Sequence, residues 1–295
     1  MMRGSSVVLF LVSMISMMAK TIQSAPTPAE PVNRLDPVRV KLLGKDLEDS
    51  GRNPSWILDF YGNNAYLNDE DKKVFNKPLG KAVIGPQIDC EGYHNEGIYL
   101  LQEDYTSSKI LGSKIHRKTA VIVKVMDEVD KNALGEVRAL KDVDLYIDSG
   151  MAIIHKQREP VILMGKVEGV SILDTVQFKD AVKGGNEKEI DGWLEQMRPL
   201  VKEQVVFWAL GEKRLLHADF NLGNIHIGAK TAPSGTSQEV RFDYPIKKAR
   251  VLDFGYPGIF KVSDRVTKEE VEKWFELQWE SRTSKSVEPG ICRIL

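Results

Sequence analysis

Short hydrophobic runs separated by polar turns fill the first half of the chain and predict strands with one helix among them. Residues 80–126 have the pattern of successive strands. Residues 131–143 carry four apolar side chains at a spacing of three, and Asp130 can cap them, so we expect a helix there. The apolar stretch 151–164 is interrupted by the polar residues 155–160, which predicts a hairpin. This combination indicates a small α+β lobe.

The second half of the chain changes to helical spacing and then to short apolar patches. Hydrophobic residues keep a helical period over 190–201 and on to Gly211, but Pro199 interrupts them, so two helices and one kinked helix both fit. Residues 228–248 are polar and rich in Gly, Ser, Thr and Lys, so we expect a surface loop. Residues 271–279 predict a last amphipathic helix. Three apolar patches follow Gly211, at 215–216, 225–227 and 249–252.

The start of the chain has the pattern of a targeting segment. Residues 1–25 predict a secretory signal peptide, because a basic start precedes an apolar run at 7–19 and a small residue follows for cleavage. The run is too short for a membrane-crossing helix, which needs about 20 residues, and a buried N-terminal helix is the alternative. Residues 26–37 hold four prolines and predict an extended leader. We expect a secreted or secretory-lumen protein with no membrane segment after cleavage and one domain over 38–295, in which 38–71 packs on the rest as an extension.

Composition excludes several function classes. The 41 basic and 42 acidic residues nearly balance, which argues against a nucleic-acid-binding protein. Two cysteines are too few for a disulfide scaffold or a zinc ribbon. Secretion favours a disulfide between Cys90 and Cys292, and two separate thiols are the alternative. The five histidines lack the spacing of metal ligands.

Two polar motifs in the second half carry candidate chemistry. His217 begins an H-x-D-x-x-x-x-N sequence that places Asp219 and Asn224 on one loop between two apolar segments. Further along, an apolar strand ends in Asp253, Phe254 and a glycine. These residues supply a carboxylate that can accept a hydroxyl proton, and an amide and a second carboxylate that can hold Mg²⁺. Such groups suit phosphoryl transfer, which depends mostly on positioning and charge neutralisation.

The order of a lysine on a strand, a glutamate on a helix, H-x-D-x-x-x-x-N and then D-F-G resembles the protein-kinase-like fold. The loop resembles aminoglycoside and choline phosphotransferase-type kinases more than regulated protein kinases, and the arrangement with a secretion signal is also similar to small secreted fungal kinase-like proteins. The resemblance covers about 80–255. It implies an α+β, two-lobed fold with a β-rich N-lobe at about 38–164, a hinge at about 164–169 and a reduced, mainly helical C-lobe at about 170–295.

The resemblance also implies a role for each motif residue. Lys124 would contact the α and β phosphates of ATP, and Glu136 on the next helix would pair with Lys124. Asp219 would be the catalytic base, and Asn224 and Asp253 would be the Mg²⁺ ligands.

The hinge would hold the adenine of ATP. Three hinge residues are expected to line this part of the site, Met164, Lys166 and Val167. The partners implied are ATP and an unidentified hydroxyl-bearing substrate or protein, with neither nucleic acid nor membrane.

Four departures from the kinase pattern affect the functional expectation. No G-x-G-x-x-G precedes the lysine strand, and residues 92–97 form the nearest glycine-bounded turn. Ala218 replaces the arginine that clamps a phosphorylated activation loop. Asn221 stands where protein kinases have lysine and phosphotransferases often have histidine, which weakens the expected γ-phosphate contact. Only 40 residues follow Gly255, without an A-P-E motif.

Two functions are consistent with the sequence. One is a secreted kinase that moves the γ-phosphate of ATP to a hydroxyl of a protein or small molecule. The other is a secreted pseudokinase, with weak or no catalysis, that acts as a binding or effector module. Retention of the lysine, the two aspartates and the asparagine favours the enzyme, whereas the short tail and the poor glycine loop favour the module.

Overall fold

The protein is an α+β structure with fifteen strands and four α-helices among the residues described. The computed structural model describes residues 54–79, 84–89, 95–109, 112–154, 156–231, 240–255 and 258–283, which lie in one compact unit of the chain. The strands are β1 (Ile57–Phe60), β2 (Ile84–Asp89), β3 (Asn95–Leu101), β4 (Tyr105–Lys109), β5 (Gly112–His116), β6 (Val121–Met126), β7 (Tyr146–Ile154), β8 (Gln157–Gly165), β9 (Val170–Ser171), β10 (Leu215–His217), β11 (Ile225–Ile227), β12 (Ala229–Thr231), β13 (Val240–Phe242), β14 (Ala249–Val251) and β15 (Ile259–Val262). The helices are α1 (Lys131–Asp142), α2 (Val176–Gly184), α3 (Glu187–Leu210) and α4 (Lys268–Thr283).

The first half of the described chain contains a five-stranded antiparallel sheet in the order β2-β3-β6-β8-β7. Because side chains alternate along a strand, β6 presents Val121, Val123 and Val125 to one face, where all three are buried. Its other face packs against α1, since Met126 shares an apolar cluster with Val137 of that helix. Residue 124 belongs to this second face, which α1 covers.

Helix α1 forms where the sequence predicts it. The Asp130 side chain accepts hydrogen bonds from the backbone N–H groups of Asn132 and Ala133, both at 2.9 Å, which satisfies two donors at the helix start. Val137 and Leu140 are fully buried against the sheet. The predicted β7–β8 hairpin is also present, but its strands extend to Ile154 and Gln157, so most of the polar stretch 155–160 is strand and not turn.

The second half is built around α3, which runs through Pro199 as one helix. Its buried residues Met197, Val201 and Val205 pack with the rest of the helical core, which includes Trp274 of α4. Helix α2, which the hydrophobic spacing did not predict, begins after Thr175, whose hydroxyl accepts a hydrogen bond from Phe178 N. Two three-stranded sheets complete this half, in the orders β1-β15-β10 and β14-β11-β9.

The structure corrects the expectation of a plain surface loop over 228–248. Strands β12 and β13 pair antiparallel within it. Phe242 and Ile246 are buried, and Ile246 N donates to the Gln196 side chain at 3.0 Å. The polar composition of the segment hid two anchoring hydrophobic residues.

We expect residues 38–71 to pack on the rest of the domain, and the structure confirms this for residues 54–71, the part that is described. Trp56 is buried with its ring edge-on to Trp274, and β1 pairs with β15 rather than with the five-stranded sheet. The predicted signal peptide, the leader, Cys90, Cys292 and residues 92–94 of the expected turn lie outside the described residues, whereas residues 95–97 of that turn are the start of β3. No helix in the described part of the chain is long and apolar enough to span a membrane.

Candidate functional site

Lys124 and Glu136 form a buried ion pair between β6 and α1. Lys124 Nζ lies 2.8 Å from Oε1 and 3.0 Å from Oε2 of Glu136. The two side chains are only 5% and 3% exposed. Such a pair is held firmly in place, because removing either partner would leave an uncompensated buried charge.

Asp253 joins this pair from the segment that follows β14. Its Oδ1 lies 3.1 Å from Lys124 Nζ and accepts the Gly255 N–H at 3.2 Å. The backbone of Asp253 has φ of 59°, a left-handed conformation that is uncommon outside glycine and that aspartate tolerates better than most residues. A non-glycine residue held in this conformation beside a buried lysine fits a functional constraint.

Gly255 leaves room above the three charges. A Cβ atom at this position would lie 3.1 Å from Asp253 Oδ1, 3.2 Å from Glu136 Oε2 and 3.4 Å from Lys124 Nζ. Any side chain there would therefore crowd the ionic cluster.

The charges of the cluster do not balance. Burial lowers the pKa of Lys124, but the carboxylates of Asp253 and Glu136 outweigh it and raise the pKa overall, which keeps the ammonium charged. Burial raises the pKa of Glu136, and the charge of Asp253 adds to that rise while Lys124 opposes it. For Asp253 burial also acts upward, but Lys124 holds the pKa below its usual value. One ammonium thus faces two carboxylates, and the excess negative charge favours a cation nearby.

A tight loop after β10 orients the carboxylate of Asp219. Asn221 Nδ2 donates to Asp219 Oδ1 at 3.1 Å, and Asn224 Nδ2 donates to Asp219 Oδ2 at 3.0 Å. Asn224 Nδ2 also reaches the backbone carbonyl of Asp219 at 3.0 Å. Two amides therefore fix the carboxylate in one plane.

The β11–β14 pair brings Asn224 and Asp253 to the same end of a sheet. Ile225 pairs with Val251, and the Leu252 N–H donates to the Asn224 carbonyl at 2.8 Å, so both residues lie just beyond the last ladder pair. Asn224 Oδ1 and Asp253 Oδ2 accept no hydrogen bond from any residue in the described ranges. These are oxygen ligands of the kind that Mg²⁺ prefers.

The donor set fits a magnesium ion completed by a substrate better than a metal held by protein alone. No group of three or more His, Cys, Asp or Glu side chains suited to a metal occurs among the residues described. Mg²⁺ is usually bound through one or two carboxylates together with substrate phosphates. Asp253, with the amide of Asn224, matches that pattern.

His217 is a buried connector and not a ligand. Its Nε2 lies 3.0 Å from the carbonyl oxygens of Leu252 and Asp253, so this nitrogen carries the proton and donates it. Its Nδ1 accepts the Asp219 N–H at 3.3 Å. Burial lowers the pKa of the imidazole, which keeps it neutral. The ring thereby joins the Asp219 loop to the backbone at Asp253.

Two aromatic rings enclose this connector. Trp208 of α3 stacks on His217 with the ring centroids 6.1 Å apart, and Phe254 meets His217 edge-on at 5.2 Å. Trp208 and Phe254 also contact each other at 5.4 Å. The position of the Asp253–Gly255 segment is therefore fixed by packing as well as by hydrogen bonds.

The predicted hinge residues lie at the end of β8, apart from the charged cluster. Met164 pairs with Ile122 of β6, two residues from Lys124 along that strand. Lys166 N donates to the Ala120 carbonyl at 2.9 Å, and the Lys166 side chain is exposed while Val167 is half-buried. The structure thus groups Lys124, Glu136 and Asp253 by direct contact and Asp219 with Asn224 by direct contact, and it leaves the hinge residues unbonded to either group.

Sequence reasoning missed two features of the site, the hydrogen bond from the Asn221 side chain to Asp219 and the glycine at 258. A Cβ at Gly258 would lie 2.8 Å from Asp219 Cβ, and the Gly258 carbonyl accepts the Ala218 N–H at 2.7 Å. The small residues at 218 and 258 therefore allow the Asp219 loop and the segment before β15 to touch. Two surface cavities, of about 530 and 520 Å³, are lined by none of the charged or motif residues of this site, and the second reaches Gly165 of the expected hinge.

No protein-family model matches the chain, and no curated protein matches its sequence. The geometry of the site is therefore the basis for assigning a function.

Proposed function

We propose that the protein is a secreted, ATP-dependent phosphotransferase of the two-lobed protein-kinase-like fold, which moves the γ-phosphate of ATP to a hydroxyl of a protein or small molecule. The five-stranded sheet with α1 would be the N-lobe, residues 164–169 the hinge, and the helices α2 to α4 with the small sheets the C-lobe. The observation that carries the proposal is the buried contact of Lys124 with both Glu136 and Asp253. Three residues from a strand, a helix and a distant turn meet there.

The buried cluster suits a nucleotide triphosphate with a divalent cation. Glu136 orients the ammonium of Lys124, which would meet the α and β phosphates. Asn224 and Asp253 would hold Mg²⁺, which supplies neutralisation of the phosphate charge when bound. Met164 and its neighbours at the end of β8 would face the adenine.

Asp219 is the group that would receive the proton of the acceptor hydroxyl. Its carboxylate is oriented by Asn221 and Asn224, and general-base catalysis requires such positioning within hydrogen-bond reach of the proton. The base and the metal ligands are connected through His217, which bonds to the backbone of both segments. This connection would hold Asp219 at a fixed position relative to Asp253 and the bound nucleotide.

One observation favours the second candidate, a nucleotide-binding module without catalysis. Both oxygens of Asp219 already accept amide hydrogen bonds, so an acceptor hydroxyl has to share an oxygen with an amide. A pseudokinase would use the same lysine, glutamate and metal ligands for binding alone.

Calorimetric titration of the full chain with ATP, with and without Mg²⁺, tests the proposal. Asp253→Asn keeps the left-handed backbone and the shape of the side chain but removes the metal-binding charge, so Mg²⁺-dependent ATP binding should be lost. Asp191→Asn, an exposed carboxylate on α3, is the matched control and should bind ATP as the wild type does. Absence of ATP binding by the wild type would refute the proposal.

A transfer assay with a panel of hydroxyl acceptors separates the two candidates. Asp219→Asn should leave ATP affinity nearly unchanged and lower phosphate transfer or ATP turnover by about 10²-fold or more, because the general base is lost. If wild type and Asp219→Asn bind ATP equally and turn it over at the same rate, the binding module is the correct reading.

A further inference from the structure

A segment far from the candidate site in sequence packs along the whole of helix α1. We call residues 54–79 the bracing segment. Its first part is tied to β15: Phe60 of β1 pairs with Phe260, and the Tyr61 N–H donates to the Ile259 carbonyl at 3.0 Å. The segment thus starts from the strand that follows the Asp253–Gly255 turn.

The bracing segment then touches the backbone of α1. A Cβ at Gly135 would lie 2.6 Å from Gly62 Cα, and a Cβ at Gly62 would lie 2.1 Å from the Lys131 carbonyl oxygen. Only two glycines permit this approach, because any side chain at either position would collide with backbone. The contact lies one residue before Glu136, the partner of Lys124.

Asp71 provides the polar anchor of the bracing segment on α1. Its carboxylate accepts from Arg138 Nη1 and from Lys141 Nζ, both at 2.8 Å, and the residue is only 2% exposed. Asp142, on the same helix, accepts from Arg138 Nε at 3.0 Å and from the Tyr61 hydroxyl. Residues 138–142 of α1 are therefore bonded to the bracing segment at two points, through Asp71 and through Tyr61.

The end of the bracing segment is fixed to the five-stranded sheet. Met151 of β7 donates its N–H to the Lys77 carbonyl and accepts the Leu79 N–H on its own carbonyl, both at 2.9 Å. Phe75 is buried in the apolar cluster that also holds Val137 of α1. The helix is thus enclosed between the sheet on one side and the bracing segment on the other.

We infer that Asp71 is a positioning residue for the candidate site, which through Arg138 and Lys141 holds α1 where Glu136 reaches Lys124. An outward shift of α1 would separate the Asp71 carboxylate from two cations and leave a buried carboxylate unpaired. The Lys124–Glu136 pair is accordingly assembled before any ligand binds. The consequence for nucleotide binding rests on the proposed function, whereas the consequence for the helix does not.

Hydrogen exchange of the full chain without nucleotide tests the helix directly. Asp71→Asn keeps the shape of the side chain and removes the charge, so amides in 131–142 should exchange about tenfold faster or more through local opening, while α3 stays protected. Thr175→Ala is the matched control: the Thr175 side chain is buried and caps α2 without touching the bracing segment, and its loss should leave exchange in 131–142 within about twofold of wild type.

Calorimetric titration of the same variants with Mg²⁺–ATP gives a second readout. If the helix is in place in only a tenth of the Asp71→Asn molecules, their ATP affinity falls about tenfold, and Thr175→Ala keeps the wild-type affinity. Failure of the wild type to bind ATP refutes the proposed function, and the exchange data then decide the positioning role alone.

Several outcomes would overturn the inference. Unchanged exchange in 131–142 for Asp71→Asn would do so, and so would equal acceleration in both variants, since that indicates general destabilisation. If Asp71→Asn does not fold, Lys141→Gln removes one of the two bonds and must accelerate exchange in the same helix selectively. Wild-type amides of α1 that exchange much faster than those of β6 would also contradict a braced helix.

Discussion

Asn221 donates a hydrogen bond from its Nδ2 to Oδ1 of Asp219 at 3.1 Å. Its own Oδ1 accepts the N–H groups of Gly223 and Asn224, at 2.9 and 3.2 Å. The sequence predicts a weaker contact to the γ-phosphate at this position, because Asn221 stands where kinases have lysine or histidine. In the structure its side chain instead caps the turn at 222–224 and aligns Asp219, so under the proposed function the residue would belong to the acceptor side of the site.

Substitution of Asn221 by Asp separates these two functions. Asn221→Asp keeps an oxygen for the turn N–H groups but replaces the donor to Asp219 with a second carboxylate. We expect phosphate transfer to fall by about 10-fold or more through misplacement and repulsion of the base, with ATP affinity changed little. Steady-state kinetics and calorimetry measure both, and a loss of ATP affinity equal to the loss of transfer would contradict this role.

Gly255→Ala tests whether the ionic cluster tolerates a neighbour. The new Cβ would be 3.1 Å from Asp253 Oδ1 and 3.2 Å from Glu136 Oε2, closer than most Cβ contacts, so the carboxylates must shift. We expect weaker Mg²⁺–ATP binding by calorimetry.

Gly192→Ala is the matched control for that substitution. Gly192 is exposed on α3 with nothing within 4 Å of the added Cβ. The variant should raise the free energy of unfolding by about 0.5–1 kcal/mol through helix propensity and leave ATP binding unchanged. Equal ATP affinity for Gly255→Ala and Gly192→Ala would show that the ionic cluster accommodates an added methyl group without loss of binding.

Local sequence patterns predict the elements whose stabilising contacts all lie within one short stretch of the chain. The 131–143 helix has its period and its Asp130 cap within fourteen neighbouring residues, and the β7–β8 hairpin has both strands side by side in sequence. By contrast, β1 pairs with β15 across most of the described chain, and no local period specifies such a partner. For that reason residues 38–71 were predicted only to pack on the domain.

The residues of the candidate site also differ in how far the sequence predicts them. The D-x-x-x-x-N and D-F-G spacings point to Asp219, Asn224 and Asp253, because each motif lies within one short segment. The contact of Lys124 with Glu136 joins two elements, and only the assembled fold gives their distance of 2.8 Å. The brace at Asp71 carries no motif at all, since an aspartate among polar residues is ordinary until the fold sets it between two cations.

Phe220, between Asp219 and Asn221, anchors the candidate loop in the helical core. It is fully buried, with its ring 4.9 Å from Phe275 and 6.1 Å from Trp274, centroid to centroid. Phe220→Ala should lower the free energy of unfolding by about 3–5 kcal/mol, since it removes a buried ring and leaves a cavity. Denaturant unfolding followed by tryptophan fluorescence measures this.

Phe207→Ala is the control for ring removal. Phe207 lies on α3 with 71% of its surface exposed, so its loss should change the free energy of unfolding by less than about 0.5 kcal/mol. A similar cost for the two substitutions would mean that the Phe220 ring does not anchor the loop.

The buried His217 gives the protein a pH dependence of definite sign. Burial lowers the pKa of its imidazole below the usual 6.5, so between the lowered value and 6.5 the unfolded chain binds a proton that the folded protein does not. The stabilising effect is therefore complete above pH 6.5 and is lost as the pH falls, by up to about 1.4 kcal/mol per pH unit. His217→Gln, which can still donate and accept, removes this titration, so its free energy of unfolding should decline less than that of the wild type from pH 7 to 5. Urea unfolding without Mg²⁺ or nucleotide measures both curves, and parallel curves over that range would show that His217 is not held neutral by the fold.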